Sequence, residues 1–289
     1  MDNCGFHIVP IWNGSEMMSI EGTSEMWNRF DRIVCMHFTP KSERLPKLMS
    51  ELDRVGISSS GKLDMEFTTP WFFTKMINWK KKGVNKKITM NIREYTLQCY
   101  ILLKRLQYQK FNHVLFLEDD IVFRKDLGEI KNILDATPDD YDIMNYAPFR
   151  RKGWMGNGKG CWGKYFDLEG NEVSQNWNES LIMRYDSVVY DSSCLGLSKK
   201  AIDRIVERME SESEPLGAID QYTYGKNGEM KDLNLYCTTG DNAVAMQDKN
   251  AYVDKLNGNT YEDTLEHCYP TYDLSKFNFS SSQNTPVVV

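Results

Sequence analysis

HVLFLEDDIVF, residues 113–123, joins a short apolar run to three consecutive acids. The run HVLFL is rich in β-formers, as is typical of a strand buried inside a sheet. It ends abruptly at Glu118, Asp119 and Asp120. Open α/β sheets bind their ligands at the carboxyl ends of the strands. The segment therefore predicts an α/β fold with a binding site at the acidic run.

The segments around this strand show the alternation of strand and helix that an α/β fold requires. RIVCMHF (32–38) has the composition of a buried strand, and a helical apolar stripe follows it as far as Gly56. A second helix over 94–109 leads into the acidic strand, and SVVYDSSCLGL (187–197) returns to strand character before another helix. Strand, turn and helix in this order open a nucleotide-binding α/β fold.

Chain length and segment composition predict one large domain. The 289 residues are enough for a single α/β domain with a substantial core. We expect an N-terminal extension over 1–28, one domain over 29–279 and a flexible tail over 280–289. Residues 150–180, rich in glycine and tryptophan, form an expected insertion. A loop of that length is typically functional or disordered.

Composition and cysteine spacing exclude several classes of protein. The net charge of -6 argues against a nucleic-acid binder, which normally carries a basic face. The seven cysteines are scattered without a C-x-x-C pair, so neither a disulfide framework nor a zinc ribbon is expected. The N-terminus lacks a signal-peptide pattern, and no apolar stretch reaches the roughly 18 to 20 residues that cross a bilayer. We expect a cytoplasmic protein with reduced thiols and no transmembrane segment.

Three adjacent carboxylates at a strand end need a compensating charge. Side by side they repel one another unless a cation or a proton is present. Hard oxygen ligands in this position suit Mg²⁺ or Mn²⁺, which would bridge the protein to a diphosphate. A strand that ends in acids also occurs in phosphatases, in nucleases and in plain surface turns, so the motif alone leaves these interpretations open.

Four segments carry a likeness to a known family. In chain order they are RIVCMHFTPKSERLPKLMSELDRVGI (32–57), the helix at 94–109 with HVLFLEDDIVF (113–123), SVVYDSSCLGLSKKAIDRIVERM (187–209) and PLGAIDQYTYG (215–225). They resemble, in the same order, four stretches of the family 25 glycosyltransferases, which include lipooligosaccharide and collagen galactosyltransferases. These stretches are the family's opening strand with its polar turn and arginine, its E-D-D metal strand, a strand that ends in a small residue before a helix, and an acid near the acceptor side. The likeness covers about two thirds of the chain.

The resemblance implies a GT-A fold, which is a Rossmann-like sheet that binds nucleotide-sugars and is flanked by helices. It also implies a nucleotide-sugar donor, UDP above all, a Mn²⁺ or Mg²⁺ cofactor, a glycan or other hydroxyl acceptor, and inversion at the anomeric carbon. This chain departs from the family at one point. The family has a Ser-His pair in the helix before the metal strand, where this chain has Tyr95, Thr96 and Leu97. The role of that pair is therefore lost or moved.

The expected metal ligands are Glu118 and Asp120, with His267 as a late ligand of the kind that GT-A enzymes often use. Alternate side chains of a strand point to the same side. Asp119, between the two ligands, is therefore expected to point the other way or to contact the ribose.

The expected donor-binding residues are Thr39, Arg44 and Asp119. Thr39 belongs to the polar turn after the first strand. Arg44 would pair with the diphosphate; a plain helix-surface arginine is the alternative. Three tryptophans of the insertion would either stack on sugar faces or anchor the loop to the core: Trp154, Trp162 and Trp177.

An inverting transfer needs a carboxylate that takes the proton of the acceptor hydroxyl. This base must stand apart from the acids that are committed to the cation. Asp220 fits, since it follows a proline and a glycine, lies among aromatic residues and matches the family's acceptor-side acid. A helix N-cap is the alternative role for Asp220. Asp191 and Asp241 are the alternative bases.

Two other functions stay open beside a metal-dependent glycosyltransferase. A metal-dependent phosphoester hydrolase would use the same acids to activate water. It would call for more histidines than the four scattered ones here, of which His37 and His113 are expected to pack in or beside strands. A carbohydrate-binding or inactive transferase-like protein would keep the fold without turnover.

Overall fold

The computed structural model describes the chain in segments separated by gaps. The described residues are 23–38, 44–68, 86–148, 164–174, 177, 179–186, 193–211, 219–223, 230, 232–239, 242–248 and 274–278. The strands within them are β1 (Arg32–Phe38), β2 (Leu63–Thr68), β3 (His113–Glu118), β4 (Ile121–Phe123), β5 (Ile143–Asn145), β6 (Tyr165–Phe166), β7 (Glu172–Val173), β8 (Ile182–Tyr185), β9 (Cys194–Ser198), β10 (Leu235–Thr238) and β11 (Ala245–Gln247). The helices are α1 (Leu45–Arg54), α2 (Lys86–Gln107), α3 (Leu127–Ala136), α4 (Lys199–Ser211) and α5 (Asp220–Thr223).

Nine of these strands form one mixed sheet in the order β2-β1-β3-β9-β5-β10-β8-β6-β7. β1 runs parallel to both β2 and β3, and β5 runs parallel to β10, whereas β9 lies antiparallel between β3 and β5. The remaining strands, β4 and β11, pair antiparallel in a separate small sheet. The predicted α/β fold, a Rossmann-like sheet with helices between its parallel strands, is confirmed.

Helices cover both faces of the sheet because neighbouring residues of a strand point to opposite sides. In β1, Val34 and Met36 pack in the same core as residues of α2 and α4. Ile33 and Cys35 pack in the other core, with residues of α1 and α3. β3 alternates between the two cores in the same way. The two central strands are therefore held between packed helices, which is a rigid base for side chains at their ends.

The chain before β1 packs into the second of these cores. Trp27, in the stretch that the sequence assigns to an extension, is fully buried and donates its Nε1 hydrogen to the carbonyl oxygen of Val55 at 2.7 Å. Gly56, which the sequence predicts to follow the first helix, has a φ of +76°, and a Cβ there would stand 2.9 Å from the carbonyl carbon of Thr23. Glycine adopts this φ without strain and leaves room for the chain beside it.

The described part of the insertion extends the main sheet. β6 and β7 pair antiparallel, and β6 joins the sheet through β8. Trp177 is partly buried against the core on the α2 face, which is the anchoring role considered for it. Trp154 and Trp162 lie outside the described residues.

Two expectations drawn from composition agree with the described part of the chain. Its cysteines, Cys35, Cys99, Cys194 and Cys237, are buried thiols that form no disulfide with one another. The other three cysteines lie outside it. No helix in this part is long and apolar enough to cross a membrane.

Candidate functional site

The acidic run lies where the carboxyl ends of β1 and β3 meet. Because the two strands are parallel, with Met36 opposite Glu118, both end at the same edge of the sheet. Asp119 and Asp120 form the turn between β3 and β4. Arg44, which directly precedes α1, reaches the same turn. The acids therefore lie at the strand ends, as the sequence predicts.

The carboxylate of Asp119 is held from two sides. Nδ1 of His37, in β1, lies 2.8 Å from Oδ2, and Nη1 of Arg44 donates to Oδ1 at 2.8 Å. Both His37 and Asp119 are buried, and the His37 ring packs edge-on against Phe67 of β2. A buried carboxylate with two such partners is fixed in direction. Asp119 is therefore a positioned group, oriented by β1 and by the start of α1.

Asp120 shares Arg44 with Asp119 but is less well satisfied. Nη1 of Arg44 donates to Oδ2 of Asp120 at 3.3 Å. The other oxygen, Oδ1, is buried and accepts no hydrogen bond within the described part of the chain. Burial raises the pKa of Asp120 to about 6, with Asp119 and Asp248 adding to the rise and the positive charge of Arg44 opposing it. A buried acceptor without a hydrogen-bond donor destabilises the fold. Among the described residues, this oxygen of Asp120 lacks such a donor.

Glu118 faces helix α2 and has a different partner. The hydroxyl of Tyr95 donates to Oε1 of Glu118 at 2.7 Å. Burial raises the pKa of Tyr95 well above its usual range, and the nearby Cys99 and Glu118 add to this effect. Tyr95 therefore stays a neutral hydrogen-bond donor. The described contacts thus join Asp119 to Asp120 through Arg44, while Glu118 is held by Tyr95.

A further acid, Asp248, reaches the site from far along the chain. It directly follows β11, and its backbone N–H donates to the carbonyl oxygen of Asp120. Its carboxylate pairs with the ammonium group of Lys47, on the first turn of α1. Antiparallel pairing places Gln247 opposite Ile121, which brings Asp248 next to the acidic run. The small sheet of β4 and β11 therefore adds a carboxylate to the site, and α1 adds the cation that pairs with it.

This donor set fits a hard divalent cation that also contacts a phosphate-bearing ligand. Mg²⁺ in proteins is usually held by one or two carboxylates together with substrate phosphates. Asp120 offers one such carboxylate, with a buried oxygen that no described residue satisfies. Within the described residues, no three His, Cys, Asp or Glu side chains are grouped as a ready-made ligand set.

Several residues named from the sequence lie outside the described part of the chain: Thr39, Asp191, Asp241 and His267. Asp220 begins the short helix α5. Ile219, just before the helix, and Tyr222, within it, are buried in the core with residues of α2 and α4. Its side chain lies outside the described part. His113 packs as expected, with its ring 4.3 Å from that of Tyr141, centroid to centroid.

Sequence reasoning missed three contributors to this site. His37 was expected to be a packed strand residue, but parallel pairing of β1 with β3 places it against Asp119. Its position next to the end of a strand was the available signal. Tyr95 was noted only as a departure from a family pattern. Asp248 had no local signal, because its position depends on the pairing of β11 with β4.

No family model matches this chain, and no curated protein matches its sequence. Among solved structures, the apo form of the glycosyltransferase GlyE of Streptococcus pneumoniae TIGR4 is similar over 82% of this chain and 60% of its own, at 12% identity and a TM-score of 0.38. A second GlyE structure is similar over 67% of this chain and 42% of its own, at 12% identity and a TM-score of 0.31. The inositol-1-phosphate CTP transferase of T. maritima is similar over 83% of this chain and 78% of its own, at 14% identity and a TM-score of 0.34. These neighbours are transferases, and the chain spans less than two thirds of the two GlyE chains. Because their TM-scores are below 0.5, the function below is inferred from the chain's own residues.

Proposed function

We propose that this chain is a metal-dependent glycosyltransferase that moves a sugar from a UDP-sugar to a hydroxyl group of a glycan acceptor. The observation that carries the proposal is the buried Oδ1 of Asp120, which accepts no hydrogen bond from the described residues and lies at the carboxyl ends of two parallel strands. Ligands of open α/β sheets bind at that edge. Nucleotide-sugars bring a diphosphate, whose charge near these acids calls for a cation.

Mn²⁺ or Mg²⁺ would be held by Asp120, with Glu118 and His267 as further candidates, and would neutralise the charge of the diphosphate leaving group. Asp119, fixed by His37 and Arg44, would orient the donor through its ribose. Arg44, at the start of α1, would bind a phosphate oxygen, since guanidinium groups match phosphate geometry. Thr39, which directly follows β1 in the sequence, would contribute to the same donor pocket.

The transfer itself would be a single displacement with inversion. The acceptor oxygen forms a bond to the anomeric carbon while the bond from that carbon to the diphosphate oxygen breaks. Asp220 would take the proton of the acceptor hydroxyl as this happens. The proposal for Asp220 rests on its sequence context and on its place at the start of α5, next to buried aromatic packing.

The test of the proposed function is a screen of nucleotide-sugars against the whole chain, by thermal shift with and without Mn²⁺. A ligand that binds only the folded state raises stability by RT ln(1 + [L]/Kd), which is about 2.7 kcal/mol at one hundred times Kd. We expect UDP and one UDP-sugar to raise Tm only with Mn²⁺ present, and that sugar to be hydrolysed slowly without acceptor. Cleavage of simple phosphoesters instead would indicate a hydrolase, and binding without any turnover would indicate a carbohydrate-binding module.

A further inference from the structure

A single nitrogen of Arg44 joins the two aspartates of the site. Nη1 donates to Oδ1 of Asp119 at 2.8 Å and to Oδ2 of Asp120 at 3.3 Å. The side chain of Arg44 is 21% exposed, while those of Asp119 and Asp120 are 6% and 13% exposed. The side chain of Arg44 is therefore more open to solvent than those of the two aspartates. Its Nη1 lies between two carboxylate oxygens, one of which belongs to Asp120, the proposed metal ligand.

The two aspartates depend on Arg44 to different degrees. Asp119 keeps His37 at its other oxygen if Arg44 moves away. Asp120 would lose the donor to Oδ2, and its Oδ1 is already unsatisfied. The negative charge of Asp248 adds to the electrostatic strain on Asp120. Removing one partner of a buried ion pair is strongly destabilising, so Arg44 can leave these acids only in exchange for another cation or a proton.

We propose that Arg44 is an exchangeable counter-cation. Before a metal binds, its guanidinium group is bonded to the carboxylates of Asp119 and Asp120. When a divalent cation arrives with the donor, the cation takes its place at Asp120, Asp119 keeps His37, and Arg44 turns to the diphosphate. This inference rests on the proposed function of the site, and it assigns Arg44 two successive partners in place of one.

The exchange couples the binding of the metal to that of the nucleotide. Mn²⁺ alone must displace Arg44 and break its contact with Asp120 without offering it a phosphate in exchange. Mn²⁺ together with UDP displaces Arg44 onto phosphate oxygens, which guanidinium groups bind through charge-assisted hydrogen bonds. In coupling of this kind, each of the two ligands changes the binding free energy of the other by the same amount. Arg44 therefore opposes the binding of metal alone and favours the binding of metal with nucleotide.

The test compares two variants that each remove one positive charge from the start of α1. Arg44→Gln removes the guanidinium contacts of Asp119 and Asp120, whereas Lys47→Gln keeps both contacts and removes the ion pair with Asp248. Mn²⁺ alone, and UDP at saturating Mn²⁺, are titrated into each variant and the wild type by calorimetry. For Arg44→Gln we expect Mn²⁺ alone to bind about tenfold more tightly and UDP about tenfold more weakly, the scale of one charge-assisted hydrogen bond. Lys47→Gln should tighten Mn²⁺ binding much less.

Each other outcome contradicts a definite part of the proposal. If Arg44→Gln tightens Mn²⁺ no more than Lys47→Gln, the effect is general electrostatics and the exchange is wrong, while the metal-dependent function stands. If the wild type binds Mn²⁺ neither alone nor with UDP, the proposed function fails and the exchange fails with it. Should Arg44→Gln not fold, Arg44→Lys decides, because it keeps the charge but loses the planar guanidinium group. Exchange requires weaker binding of UDP at saturating Mn²⁺ in that variant, because an ammonium group cannot match the phosphate contacts of a guanidinium group, and unchanged UDP affinity overturns it.

Discussion

The hydroxyl of Tyr95 donates to Oε1 of Glu118 at 2.7 Å and so ties helix α2 to the end of strand β3. Glu118 begins the acidic run, and its direction is set by a helix that precedes the strand in the chain. Because burial raises the pKa of Tyr95 well above its usual range, this donor keeps its proton throughout the neutral range. One acid of the site is thus oriented by a neutral partner, whereas its two neighbours are oriented by Arg44.

Tyr95→Phe should lower the free energy of unfolding by about 1–3 kcal/mol, since it leaves a partly buried carboxylate oxygen without its donor. Tyr100→Phe is the matched control. Tyr100 lies on the same helix and donates to Glu210 at the same distance, 2.7 Å, but in an exposed contact. The control should change stability by less than about 0.5 kcal/mol. Urea unfolding measures the free energy of unfolding of both variants. Equal losses would mean that the contact of Tyr95 with Glu118 stabilises the fold no more than the exposed contact of Tyr100.

Asp120→Asn should stabilise the metal-free chain and remove its response to metal. The folded-state pKa of Asp120, about 6, lies above the usual value of 3.8, so ionisation penalises the folded state as pH rises from about 4 to about 6. In EDTA at pH 7.5 we expect the variant to gain about 1–3 kcal/mol over the wild type, and at pH 4 to gain little. With Mn²⁺ and UDP only the wild type should show a further rise in Tm. A variant that binds UDP and Mn²⁺ as well as the parent contradicts the metal assignment.

His37→Phe should weaken UDP binding at saturating Mn²⁺ by about tenfold, because Asp119 loses one of the two groups that orient it. The substitution keeps an aromatic ring against Phe67. His113→Phe is the control, since His113 is the first residue of β3, at the strand end away from the acids, and its ring packs on Tyr141. Calorimetry should find the control unchanged in UDP affinity. If both variants bind UDP normally, His37 is only a packed residue.

Asp220→Asn should lower kcat by at least about a hundredfold while donor affinity stays near normal, in line with the loss of a general base. The alternative role, an N-cap of α5, predicts a loss of stability with kcat kept. Steady-state kinetics and thermal unfolding of the same preparation separate the two. If the variant keeps full kcat, Asp220 is not the base, and Asp191 and Asp241 become the candidates.

Gln98→Met should leave stability unchanged or raise it by about 1 kcal/mol. Gln98 is 6% exposed on α2, and neither atom of its amide has a hydrogen-bond partner in the described part of the chain. Methionine has a similar length and no amide to leave unsatisfied. Thr96→Val, on the same helix, is a useful contrast, because Thr96 is buried and has an interaction to lose. A marked loss of stability in Gln98→Met would show that the amide is satisfied after all.

The main sheet and the acidic turn could be predicted from the sequence because their signals are local. A buried parallel strand such as β3 appears as a short apolar run, and its end appears as a sudden change to charge. The end of α1 could be predicted for the same reason. The backbone at Gly56 has a positive φ, which favours glycine. These features need no knowledge of which distant segments meet.

The partners of the acids could not be predicted in the same way. His37 and Asp119 meet only because β1 and β3 are neighbours in the sheet, and Asp248 joins them only because β11 pairs with β4. Strand periodicity predicts that Asp119 points away from Glu118 and Asp120 or contacts the ribose, and it says nothing of partners from other elements. In the structure, Asp119 and Asp120 lie in the turn after β3. Arg44 and His37 contact the aspartates, and Tyr95 contacts Glu118.

The pairing of β11 with β4 makes the site a late product of folding. Its two strands are separated by more than a hundred residues, and contacts of such long range form slowly because a large loop must close first. Until β11 arrives, the acidic turn lacks both the backbone contact from Asp248 and the negative charge of that residue. A nascent chain can therefore complete the sheet of β1, β2 and β3 with Asp120 in less negative surroundings than in the finished fold. The added repulsion on Asp120 comes only when residues 242–248 dock.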